Sequence, residues 1–65
     1  MNREQAKTAI LATLRTSSFP LSESDLVVAL DEAGARVVRE ACIALEGAAR
    51  IRRPKDGGYK WEIVA

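Results

Sequence analysis

The sequence predicts an α+β fold, three helices ahead of a C-terminal β-hairpin, and three observations predict it. Val38, Ala41, Cys42 and Leu45 recur at i, i+3, i+4 and i+7, the spacing that lays apolar side chains along one face of an α-helix. After Gly47 the period changes: Ile51, and then Tyr59, Trp61 and Ile63, alternate with charged residues, as on a strand with one face buried. Between those two runs, Lys55-Asp56-Gly57-Gly58-Tyr59 carries the strongest turn signal in the chain.

A chain of 65 residues predicts one domain over 1–65, near the size at which a single core supplies only about 3–5 kcal/mol of net stability. Apolar residues make up 48% and charged residues 29%, a balance that suits a globular fold and argues against disorder. Ten Lys and Arg against nine Asp and Glu leave a formal charge of +1. Affinity for nucleic acid must then come from local clustering of charge. One cysteine cannot form an internal disulfide, and the absence of histidine removes the usual zinc ligand set and the usual general base. With no paired carboxylates and no glycine-rich phosphate loop either, the expectation is no enzyme, no metal and no cofactor. Residues 1–17 contain no apolar run long enough for a signal peptide or a membrane span, so neither is expected and the setting expected is cytoplasmic.

Taken in order, Asn2 and Gln5 have the spacing of a capping box, which starts the first helix at Arg3 and carries it to about Arg15. Ala6, Ile10 and Leu14, joined by Ala9, form its inward stripe. Ser17 and Ser18 stop it. Pro20 favours extended backbone at Phe19, so Phe19-Pro20-Leu21 is expected to cross the core as a short strand-like connector pinned by Phe19 and Leu21. Ser22 caps a second helix with Asp25 at N3, and Leu21 and Leu26 have the spacing of a hydrophobic staple. Leu26, Val27 and Leu30 supply its inward face. Asp31-Glu32-Ala33-Gly34 then breaks the pattern before a third helix near Ala35, and two helices separated by such a turn make a helix-turn-helix.

Loop length decides which residues of the hairpin face each other. A two-residue Asp56-Gly57 loop puts Ile51 opposite Glu62. A three-residue loop from Asp56 to Gly58, with a glycine in the left-handed position, pairs Ile51 with Ile63, Arg52 with Glu62 and Arg53 with Trp61. The second register is preferred, because it matches apolar to apolar and charge to opposite charge.

This order of elements resembles the winged helix-turn-helix domain of bacterial and archaeal transcription regulators. LSESDLVVAL, Leu21 to Leu30, resembles the second-helix phrase of such domains, and ACIALEGAARIRR, Ala41 to Arg53, resembles their third-helix-to-wing phrase, an ALxxLExxGLIxR-like pattern. Three departures stand out: Ala49 where the pattern has glycine, Arg50 where it has leucine, and an inter-helix turn that is long by one residue. The resemblance implies a transcriptional regulator that binds double-stranded DNA. Its third helix would enter the major groove and its basic hairpin, the wing, would lie on the phosphate backbone. It further implies a homodimer, since pairing two half-sites is the usual route by which a small module gains affinity.

On that basis Arg36 and Arg39 are the candidate groove residues, because arginine reaches phosphate or guanine O6 and N7 as a charge-assisted donor. The competing reading pairs Arg36 with Glu40 on a solvated face, a contact worth only about 0.2–0.5 kcal/mol. Arg52, Arg53, Lys55 and Lys60, with Arg50, cluster in the hairpin, where they suit phosphate by counterion release. Edge strands also use such charges simply to block aggregation. Trp61 is expected to be at least half buried, with Arg53 over its ring, and Cys42 to be a buried apolar residue. Glu40 and Ile43 in the middle of the reading face, and the acidic second helix, pull away from DNA. They support an alternative, a protein-interaction domain whose partner meets Val28 and Ile43.

Overall fold

The computed structural model describes residues 1–56 and 58–64. Three helices and three short strands alternate as α1 (Arg3–Thr16), β1 (Leu21–Ser22), α2 (Glu23–Ala29), α3 (Gly34–Gly47), β2 (Ile51–Arg52) and β3 (Lys60–Ile63). The strands form one small antiparallel sheet in the order β1-β3-β2, so β3 is central and both of its neighbours are edges. No helix among the described residues is long and apolar enough to cross a membrane.

The first two helices are defined by their own side chains. Asn2 accepts from the Gln5 N–H at 2.8 Å while the Gln5 side chain accepts from the Asn2 N–H at 3.0 Å. Ser22 and Asp25 repeat the arrangement at the head of α2, both bonds at 3.1 Å. Each capping box satisfies two amide donors that a helix start otherwise leaves unpaired.

The third helix lacks this device. Its N-cap, Ala33, offers no side-chain bond, and α3 starts at Gly34, one residue before the expected Ala35, because Gly34 takes a left-handed φ of 80° that closes the turn over 30–33. At its other end the Arg50 N–H bonds Leu45 O and the Ala49 N–H bonds Glu46 O, both at 2.9 Å. Those bonds make a complete Schellman cap with Ala49 at φ 58°. The left-handed position therefore falls on the residue where the sequence has alanine in place of glycine.

Ala6, Ile10, Leu14, Leu26, Leu30, Val38, Ala41, Cys42, Leu45, Ile51 and Trp61 form one contiguous core. Full burial of each large apolar side chain stabilises by about 1.5–3 kcal/mol. The inward stripes read from helical spacing are the ones observed, with Ala9, Val27 and Ile63 packed at the margin and only partly buried.

The connector departs from expectation. Phe19 is 65% exposed, and the strand begins at Leu21, pairing Leu21 with Trp61 and Ser22 with Lys60. The Ser17 hydroxyl donates to Phe19 O at 2.6 Å and accepts from the Phe19 N–H at 3.3 Å. That local turn removes the extended geometry under which residues 19 and 21 would share a face. Leu21 alone packs on the core. Trp61, only 2% exposed, is the aromatic that fills it.

In the hairpin the preferred register is the observed one, Ile51 opposite Ile63 and Arg52 opposite Glu62. The ladder between β2 and β3 holds only those two pairs, so the expected pairing of Arg53 with Trp61 does not extend it; Trp61 and Lys60 pair with β1 instead, and Pro54 has no N–H with which β2 could continue. Gly58 holds the left-handed conformation, φ 55°. The expected Asp56-Gly57-Gly58 turn passes through Gly57, which lies outside the described residues. Tyr59, expected to alternate inward with Trp61, belongs to the loop and is 69% exposed.

Candidate nucleic-acid interface

Packing leaves one arc of α3 bare. Val38, Ala41, Cys42 and Leu45 point into the core, so at 100° per residue the opposite arc holds Arg39, Ile43, Arg36 and Glu40 in that angular order. All four are exposed. The Arg36 Nε lies 3.4 Å from Glu40 Oε2, so the competing contact foreseen for Arg36 is present. The side chain of Arg36 remains 91% exposed, and a solvated pair of this kind holds it only weakly. Arg39 makes no ion pair among the described residues.

The hairpin cations separate into different environments. Arg52 Nε donates to Glu62 Oε2 at 2.7 Å across the β2–β3 ladder, which commits its charge to a neighbour. The guanidinium carbon of Arg53 stands 3.9 Å from the centre of the Trp61 ring. That cation–π contact is worth about 0.5–1 kcal/mol at an exposed site, and it makes Arg53 a cover for the core. Lys55 and Lys60 line one open groove together with Pro20, Pro54, Asp56 and Glu62. They share the side of the sheet facing away from the helices, where Lys60 and Glu62 alternate with the inward Trp61 and Ile63. Arg50, directly after the Schellman cap, is exposed.

Charge is divided along the chain. From Ala35 onward there are seven Lys and Arg against four Asp and Glu; before it there are three against five. The near-neutral total therefore hides an uneven distribution along the chain, with Glu23, Asp25, Asp31 and Glu32 concentrated on and after α2.

Cys42 lies between these regions and is buried. Burial pushes its thiol up to about 11; the Glu23 carboxylate adds to the rise and Arg53 opposes it. The neutral thiol is inert at ordinary pH, and its fit in the folded core contributes stability that is whole below the ordinary thiol value and lost as pH rises through about 11. Among the described residues no group of three His, Cys, Asp or Glu side chains could hold a metal ion.

A further concavity of about 490 Å³ opens between the heads of α2 and α3, lined by Glu23, Ser24, Val27, Val28 and Ala35. The sequence marked Val28 as an exposed contact residue, but not this groove, because Ala35 and Val28 come together only through the turn over 30–33. Ile43 is 58% exposed and Val28 79%. No protein-family model, curated protein or solved structure matches the chain.

Proposed function

We propose that this chain is a small DNA-binding module of the winged-helix type, acting in transcriptional regulation, with α3 directed to the major groove and the β2–β3 hairpin serving as the wing. One observation carries the reading: the exposed face of α3 holds Arg36 and Arg39, and the segment that follows it gathers half of the chain's cations, five of ten. An α-helix fits the major groove, and arginine there donates bidentately to guanine. Of the hairpin cations, Lys55, Lys60 and Arg50 are the free phosphate contacts, whereas Arg52 and Arg53 must first leave Glu62 and Trp61. The acidic side of α2 would turn away from the duplex and set the orientation of docking. Two copies on adjacent half-sites would raise affinity, since one module of this size buries limited area.

A second reading follows from the exposure of Val28 and Ile43. Isolated aliphatic side chains on helix faces more naturally meet protein than phosphate, and in that reading the chain joins a larger assembly.

Titration against random duplex DNA at low and moderate salt separates the two. The DNA reading expects salt-sensitive binding, with log affinity falling by roughly 0.9 per phosphate neutralised for each decade of salt. Lys55→Ala should weaken binding to every sequence and flatten that slope. Arg39→Ala should narrow the gap between cognate and random DNA by about 1–3 kcal/mol if a guanine contact is lost. No binding even at low salt would leave only the protein-interaction reading.

A further inference from the structure

Two of the chain's three aromatic side chains are left in solvent, Phe19 at 65% and Tyr59 at 69% exposed. Each adjoins, in the chain, a residue that lines the open groove on the outer side of the sheet: Phe19 precedes Pro20, and Tyr59 precedes Lys60. Consecutive Cα atoms are about 3.8 Å apart, so the two aromatic residues flank the groove. Pro20 and Glu62 also line the hollow in which Phe19 stands, which makes the two concavities continuous.

The lining combines two chemistries. Pro20 and Pro54 supply apolar rings, while Lys55 and Lys60 supply cations that make no ion pair among the described residues. Of the two carboxylates in the groove, Glu62 is held by Arg52 at 2.7 Å, which leaves Asp56 as the opposing charge. The excess of cations persists over the whole segment, with five Lys and Arg against three Asp and Glu from Glu46 to Val64. The surface therefore favours an anion, and one that also carries flat apolar groups.

Duplex nucleic acid meets only the first condition. Its phosphates can reach the lysines, but its bases are stacked inside and offer the exposed rings nothing to stack on. A single strand offers both, phosphates along its backbone and bases free to leave the stack. We propose that this outer face binds a single-stranded polynucleotide, with phosphates on Lys55 and Lys60 and unstacked bases on Tyr59 and Phe19. Trp61 takes no part, since it is buried and covered by Arg53. The site goes beyond the duplex reading and does not need it: α3 contributes nothing here, and only the hairpin lysines serve both ligands. Strands of DNA and RNA share the chemistry recognised.

Fluorescence anisotropy with labelled oligo(dT) and oligo(U) of about 12 nucleotides, beside a random duplex at the same salt, tests the site. At least one oligomer should bind, with log affinity falling by about 0.7 per phosphate neutralised for each decade of salt, and the tighter of the two identifies the strand. Tyr59→Ala and Phe19→Ala should each weaken oligomer binding by about fivefold or more, and by more than they weaken duplex binding. Tyr59→Phe and Phe19→Tyr keep the rings and should bind as wild type does. Both positions are exposed, so circular dichroism should show unchanged helix content in all four variants. Failure of both oligomers to bind at low salt overturns the proposal. So do alanine variants that bind oligomer as tightly as wild type, and so does an equal loss on oligomer and duplex. Duplex binding without oligomer binding sinks this site alone, whereas oligomer binding without duplex binding supports it and sinks only the role given to α3.

Discussion

The half of the molecule up to Ala29 and the half from Gly34 onward are built by different rules. In the first, both helices start on complete capping boxes and the helical stripes predict burial. In the second, α3 starts on an uncapped alanine and a left-handed glycine, and it ends on an alanine forced to φ 58°. The hairpin loop opens at a proline, and an arginine covers the core tryptophan. Local conflicts with propensity thus collect in the half that carries the bare arc and most of the cations. Chains tolerate such conflicts where a surface has work other than stability.

The largest expected contrast is between two aromatics, one in each half. Trp61→Ala should cost about 3–5 kcal/mol, because a fully buried large side chain leaves a cavity behind. Phe19→Ala should stay within about 0.5 kcal/mol, as for other exposed positions. Urea unfolding curves of the two variants measure this directly, and equal losses would mean that the connector is anchored through Phe19 after all.

A smaller contrast lies at the ends of α3. Gly34→Ala should destabilise by about 1–2 kcal/mol purely through its positive φ, since a methyl group there meets nothing within 4 Å. Ala49→Gly should stabilise by about 1 kcal/mol by relieving the same strain at the Schellman cap. Ser22→Ala at the head of α2 should cost about 1 kcal/mol through the lost cap. If Ala49→Gly leaves the thermal midpoint unchanged, the strained C-cap is not a cost of the second half.

The smallest contrast is within the hairpin. Arg53→Ala should lower stability by about 0.5–1 kcal/mol through the lost stacking on Trp61, while Lys55→Ala should leave it unchanged within about 0.5 kcal/mol. Chemical denaturation resolves the pair, and it also identifies Lys55 as the cleaner probe of phosphate contact. A stability loss at Lys55 equal to that at Arg53 would mean that both cations serve the fold.

Much of the fold was legible because its information is local. Helix starts follow from Asn2 with Gln5 and Ser22 with Asp25, side chains that bond three residues away whatever the rest of the chain does. The inward faces of α1 and α3 follow from the helical period, and the pairing of Ile51 with Ile63 follows from strand alternation and charge matching. The candidate site was legible in part. Arg36, Arg39, Val28 and Ile43 lie on exposed faces, as the same periodicity requires. What became of the hairpin cations was less predictable, because it depends on which neighbour each one meets: Glu62 for Arg52, Trp61 for Arg53, and a shared open groove for Lys55 and Lys60.

The sequence by itself determined three helices, their inward faces and the hairpin register, since each is set by residues within a turn or a strand pair of one another. Tertiary structure decided the rest. It chose Trp61 over Phe19 as the core aromatic, because the Ser17 turn swung Phe19 outward while β3, held between β1 and β2, delivered Trp61 inward. It brought Val28 beside Ala35 to form a groove that no periodicity foretells. Such outcomes depend on contacts between elements distant in sequence, whose partners are selected by packing the whole chain at once.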